Sequence, residues 1–162
     1  MLIFQISWYF FMIYSRSSEY AIRAFVQMAS LPPGEYVMVK HIAAEADIPS
    51  HFLAKILQDL ARDGFLRSSK GPRGGFRLRQ PPEEISMLAI VEAIDGAGRY
   101  DRCLGGMAEC TDRTPCGMHD SWKALRSRII EYLERTSIAD LANSLGEKRR
   151  LLARTRRRGN RK

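Results

Sequence analysis

Residues 50–79 read SHFLAKILQDLARDGFLRSSKGPRGGFRLR and change periodicity half-way. Leu53, Ile56, Leu57 and Leu60 recur at the spacing of one helix face, which predicts a helix from about Ser50 to Asp63. Gly64 stands where a C′ glycine ends such a helix. After it, Phe65–Ser68 and Phe76–Arg79 have the shape of two short strands. The seven residues SKGPRGG between them are rich in turn formers, so the pair predicts a β-hairpin.

Upstream, Val39–Ala46 predicts a short helix with Ile42, Ala43 and Ala46 inward, and Asp47-Ile48-Pro49 makes a tight turn. Helix, turn, helix and hairpin in that order make a winged helix-turn-helix. A first helix, capped by Ser17 or Ser18 and running to about Ser30, carries Ala21, Ala24, Phe25 and Met28 on one side. Downstream, Ser86 caps a helix over Met87–Asp95 with Leu88, Val91 and Ile94 inward. A Gly- and Cys-bearing loop spans residues 96–117, and a longer helix runs from about Met118 to Arg135. Ser137 caps a last short helix, Ile138–Leu145, which Gly146 ends. The expected fold is mainly α with a small β-hairpin wing.

The face of the third helix opposite its apolar stripe carries His51, Lys55, Gln58 and Arg62, spaced 4, 3 and 4 apart, with Ser50 at its start. A major groove admits such a helix. Lys donates to guanine O6 and N7, Gln pairs with adenine, and Arg62 is better placed for phosphate. Lys70 and Arg73 stand in the hairpin loop, stiffened by Pro72. Gly71, Gly74 and Gly75 predict a backbone able to approach the sugar–phosphate surface. A solvated charged face is the plainer reading of the helix alone. The tight turn before it and the basic hairpin after it favour double-stranded DNA.

Net charge is not the argument for DNA. Of 26 Lys and Arg and 18 Asp and Glu in the 162 residues, nine basic and one acidic residue lie in 147–162. That segment holds +8, the whole excess, and leaves 17 basic against 17 acidic in residues 1–146. The tail, 146–162, is expected to be disordered and to add affinity for any DNA through counterion release, or else only to keep the chain in solution. At the other end, MLIFQISWYFFMI is apolar but too short to span a bilayer and lacks the basic start of a signal peptide. We read residues 1–11 as an upstream extension of the reading frame, with Met12 the expected start.

Cys103, Cys110 and Cys116 follow a C-x6-C-x5-C pattern, with His119 three residues on. An odd count in one loop argues against a disulfide scaffold. The residues alone leave three chemistries close together: an iron–sulfur cluster on thiolates, a Cys3His zinc site lacking the usual C-x2–4-C knuckle, and thiols acting as a redox switch or merely buried. Asp101, Glu109, Asp112 and His119 form no nucleophile–base pattern, so an enzyme is not expected.

Residues 12–145 resemble the Rrf-two family of bacterial winged-helix regulators. The resemblance is carried by S-x-EYAIRA near the start, IPSHFLAKILQDLARDGFLRSSKGPRGGF through the third helix and hairpin, and IVEAIDG before the cysteine loop. It implies a cytoplasmic homodimer on a roughly palindromic operator, joined through the long helix, where Trp122, Leu125, Ile129 and Leu133 form a stripe. It also implies an iron–sulfur cluster on the three cysteines, [2Fe–2S] in preference to [4Fe–4S], ahead of a thiol switch and of zinc. The x6 spacing departs from the commoner x5 by one residue. The implied fourth ligand is His119, with Glu19 on the first helix, acting from the partner subunit, as its rival. The division expected is 12–82 for DNA binding and 83–145 for linker helix, cysteine loop and dimerisation helix. Rival functions are a winged-helix module that senses a metabolic enzyme by binding it, and an RNA-binding protein using the tail. No membrane or small-molecule substrate is expected.

Overall fold

The computed structural model describes residues 13–72, 74–108 and 111–159, and the side chains of these except Arg149 and 153–159. Helix α1 spans Arg16–Ala29, α2 Val39–Ala46 and α3 Ser50–Arg62. Strands β1, Leu66–Ser69, and β2, Gly75–Leu78, follow. Helices α4, Met87–Asp95, α5, His119–Arg135, and α6, Ile138–Gly159, complete the chain. Among the described residues no helix is long and apolar enough to cross a membrane.

Helix α1 is the axle of the fold. It packs against α2, α3, α4 and α6. Its Ala21, Ala24 and Phe25 have no exposed surface, nor do Ile42 of α2 and Leu53 and Leu57 of α3. Its cap is Ser15, whose hydroxyl accepts the Ser18 amide, rather than the Ser17 or Ser18 expected. Ser18 is wholly buried and therefore belongs inside the helix. Asp47 takes the left-handed conformation at the end of α2, which an Asp tolerates, and Ile48 N–H bonds the Ala43 carbonyl. Helix α3 ends as expected. Gly64 has φ +87°, and Phe65 N–H reaches back to the Leu60 carbonyl at 3.0 Å, a Schellman closure.

The two strands pair antiparallel, Leu66 opposite Leu78 and Ser69 opposite Gly75, each shifted one residue toward the loop from the expected limits. Val37, in the connection between α1 and α2, adds a further rung: its N–H and carbonyl both bond Phe76 at 2.9 Å. The wing is thus tied to the helical body close to its loop.

Helix α4 starts on Ser86 as expected, but it buries Met87, Ile90 and Val91, with Leu88 and Ile94 only half-buried. The register turns because α4 is held between α1 and α5. A second tie joins the starts of α4 and α6: Met87 N–H bonds the Thr136 carbonyl and Ile138 N–H the Ile85 carbonyl, both at 2.9 Å. Ser137 and Asp140 then cap α6 reciprocally.

Helix α6 does not stop at Gly146. It continues to Gly159, helical where the sequence suggests a disordered tail. One interior glycine costs a helix only about 1 kcal/mol. The residues around it, Leu145 and then Glu147 to Ala153, are good helix formers without proline.

Candidate DNA-reading face and cysteine loop

The buried stripe of α3 fixes the rotation of the helix. Leu53, Ile56, Leu57 and Leu60 face the core, so Ser50, His51, Lys55, Gln58 and Arg62 are all exposed. Arg62 is paired with Asp59 one turn back. Exposed pairs of this kind are weak, so Arg62 can exchange that carboxylate for a phosphate. Gln58 and Arg62 share a groove with Ser68, Ser69 and Lys70 of the hairpin, so helix and wing form one surface. Arg73 lies outside the described residues.

The wing glycines divide into two kinds. Gly71, φ +103°, has open space around it, as a backbone close to a ligand requires. A Cβ on Gly74 would lie 2.3 Å from the Ser69 carbonyl oxygen, and one on Gly75 2.1 Å from that of Val37. These two serve the protein's own packing instead of the sugar–phosphate approach expected of them.

The cysteine loop begins at a buried carboxylate. Asp95, its side chain 4% exposed, accepts the Ser15 N–H at 2.9 Å and pairs with Arg99 at 3.2 Å. Arg99 Nε and the Tyr100 hydroxyl both donate to the Ile13 carbonyl. Burial, ahead of its charged neighbours, raises the Tyr100 pKa, so it stays a donor through neutral pH. Sequence reasoning missed this clamp. The signal was there: a carboxylate at the last residue of a helix opposes the helix dipole and calls for a tertiary partner.

At its far end the loop is pinned to α5. His119 is 3% exposed, and its Nε2 lies 2.8 Å from Asp112 Oδ1. Lys123 donates to both oxygens of the same carboxylate, and Trp122 Nε1 donates to the Arg102 carbonyl. Lys123 first, then His119, lowers the Asp112 pKa from 3.8 to about 2. These contacts are therefore complete above pH 3.8 and are lost as pH falls through 2. A carboxyl NMR titration should place the Asp112 midpoint near 2, and Lys123→Met should move it upward.

Cys103 and Cys116 are both half-buried, and the His119 N–H bonds the Cys116 carbonyl at 2.9 Å. Cys110 lies outside the described residues, and among the described ones no three His, Cys, Asp or Glu gather in metal-holding geometry. Glu19, on α1, is paired with Arg23 at 3.4 Å.

The expected stripe on α5 is divided. Leu133 is wholly buried in the chain's own core, next to the tied start of α6, and so is not part of an exposed face. Leu125 is 52% exposed, Trp122 and Ile129 are half-buried, and Met118 and Tyr132 are 47% and 59% exposed. Met118, Trp122, Leu125, Ile129 and Tyr132 alternate at spacings of four and three, which makes a heptad seam.

The family model described as "Rrf2: Iron-dependent Transcriptional regulator" matches residues 14–144. The chain belongs to the Rrf2 family. It is accordingly a winged-helix transcriptional regulator that binds DNA, not an enzyme. A chain from Aquifex aeolicus named as an HTH-type transcriptional regulator is 37% identical over 134 residues, 82% of this chain and 92% of that one. The HTH-type transcriptional regulator IscR of Aliivibrio salmonicida is 29% identical over 123 residues, 76% of this chain and 73% of its own. In fold the chain is similar to CymR, the global cysteine regulator of B. subtilis, at a TM-score of 0.68 and 22% identity, covering 80% of this chain and 95% of CymR.

Proposed function

We propose that this Rrf2 regulator acts in the cytoplasm as a homodimer, reads a palindromic operator with paired α3 helices and wings, and is switched through its cysteine loop. The observation that carries the switching is the clamp. The loop is bonded through Asp95, Arg99 and Tyr100 to the start of α1, and α1 packs on the reading helix. Within one half of the dimer, Ser50, His51, Lys55 and Gln58 face base edges, while Arg62, Lys70 and Arg73 hold phosphates. Lys55→Ala should weaken operator binding by about 10- to 100-fold. The same substitution should change binding to random duplex much less and leave the melting curve in place.

The α5 seam joins the two copies through Met118, Trp122, Leu125, Ile129 and Tyr132. Leu125→Asp should give a folded monomer by sedimentation, because Leu125 is exposed within the chain. Leu133→Asp should unfold the chain instead.

The donor set fits an iron–sulfur cluster chemically. Cys103, Cys110 and Cys116 supply the three thiolates, with a [2Fe–2S] form favoured over [4Fe–4S]. His119 is the favoured fourth ligand, because a metal-bound imidazole usually has a carboxylate on its other nitrogen and Asp112 stands at that distance. Glu19 of a partner copy is the rival, and would first leave Arg23. When bound, the cluster would supply sensitivity to oxidants or nitric oxide. The chain's own part is to hold both ends of the loop and convert loop rearrangement into head spacing.

The test is iron and sulfide content after anaerobic preparation, followed by operator titration with and without the cluster. A difference in affinity supports the switch. Equal affinity in both states defeats it. Absence of iron with affinity that depends on thiol oxidation would favour the cluster-free thiol switch.

A further inference from the structure

The match to the family ends at residue 144, yet α6 runs on to Gly159. The continuation differs in kind from everything before it. Its first part is core: Ile138 is wholly buried, and Leu141 and Ala142 pack against the hydrophobic centre. From there on Leu145, Glu147, Lys148, Arg150, Leu151 and Leu152 are exposed. At 1.5 Å per residue, Leu145 to Gly159 is about 22 Å of helix. Residues 147–162 carry seven Arg and two Lys against one Glu, and the remaining 146 residues are neutral overall.

A segment with this composition suits a polyanion of regular spacing. Duplex DNA offers one negative charge per about 1.7 Å of axis, so a helix of this length can lie along several phosphates. Arginine in preference to lysine suits bidentate contact with phosphate oxygens. The body, with 17 basic against 17 acidic residues in 1–146, meanwhile has little long-range attraction of its own.

We propose that the basic extension of α6 is a second DNA-contacting element, which grips the phosphate backbone without reading sequence. It rests on the DNA-binding reading of the family and adds to it a contact outside the winged helix. The partner is duplex DNA of any sequence, and the extension sets residence on non-operator DNA and its response to salt.

The experiment compares three proteins: the full chain, a chain ending at Gly146, and the full chain carrying R149Q, R150Q, R154Q, R156Q, R157Q and R158Q. Binding to a random-sequence duplex of about 30 base pairs is followed by anisotropy between about 50 and 400 mM KCl. If about four of the nine cations meet phosphates at once, the slope of log K against log salt should shrink by about 3 to 4 in both altered proteins. Affinity at low salt should fall by about 10- to 100-fold, equally for AT-rich and GC-rich duplexes. The Gln variant keeps the length of α6, so a folding defect of the truncated chain does not decide the result.

An unchanged slope in the Gln variant overturns the proposal. So does an unchanged DNA affinity accompanied by lost binding to phosphatidylglycerol vesicles, which would make the extension a membrane-surface helix. Preference of the extension for single-stranded RNA over duplex overturns it as well. A full chain that binds no duplex at all would instead overturn the DNA-binding reading beneath it.

Discussion

Gly75→Ala should detach the wing and destabilise the protein by about 3–5 kcal/mol, the range of severe core lesions. The added Cβ would lie 2.1 Å from the Val37 carbonyl oxygen, a backbone atom with nowhere to go, and φ at this glycine is +144°. Relief requires breaking the rung between Val37 and Phe76, two hydrogen bonds of 2.9 Å. Phe76, 7% exposed and part of the core, is drawn out with it. Urea unfolding measures the loss. Gly71→Ala is the internal control. It meets open space and bears only the strain of a positive φ, about 1–2 kcal/mol. Equal costs for the two substitutions would show that the approach to Val37 does not matter.

Asp95→Ala should cost about 2–3 kcal/mol and free the cysteine loop from α1. The carboxylate is 4% exposed, and its removal strands the Ser15 N–H and the Arg99 guanidinium. Breaking a fully buried pair costs about 3–5 kcal/mol. Arg99 is about one-third exposed and water takes back part of the loss, so the smaller figure applies. Hydrogen exchange should quicken at the first turn of α1 and in residues 96–101. If the clamp transmits the state of the loop, operator affinity in this variant should no longer depend on that state. Protection of the α1 amides equal to that of the parent protein would refute the role given to Asp95.

The helices could be read from the sequence because their ends carry local chemistry. Ser86, Ser137 and Gly64 cap where they are expected to, each satisfying backbone groups within a few residues. The cap of α1 lies two or three residues earlier than expected because SRSS offers three hydroxyls, and only tertiary burial of Ser18 decides among them. The reading face followed from the apolar stripe opposite it. The glycines of GPRGG announced a special backbone, but what they approach depends on Val37, which is about 38 residues upstream of Gly75 in chain terms and adjacent only in space. The exposed stripe of α5 differs from the one expected by one position at its end for the same reason. Tyr132 and Leu133 are neighbours of similar hydrophobic use, and the fold-back into α6 determines which one is covered. The continuation of α6 past Gly146 was hidden because charge runs and glycines also describe unstructured tails.

The rung between Val37 and Phe76 has a mechanical consequence. A wing on a free hinge could be curled toward or away from DNA as a finger is. This one is sewn to the joint between the first two helices, and α3 is locked to those helices by its buried stripe. Helices and wing are therefore joined into a single plate. In the dimer proposed above, an event at the cysteines would then reach the operator as a change in how two plates are aimed, in the manner of a jaw.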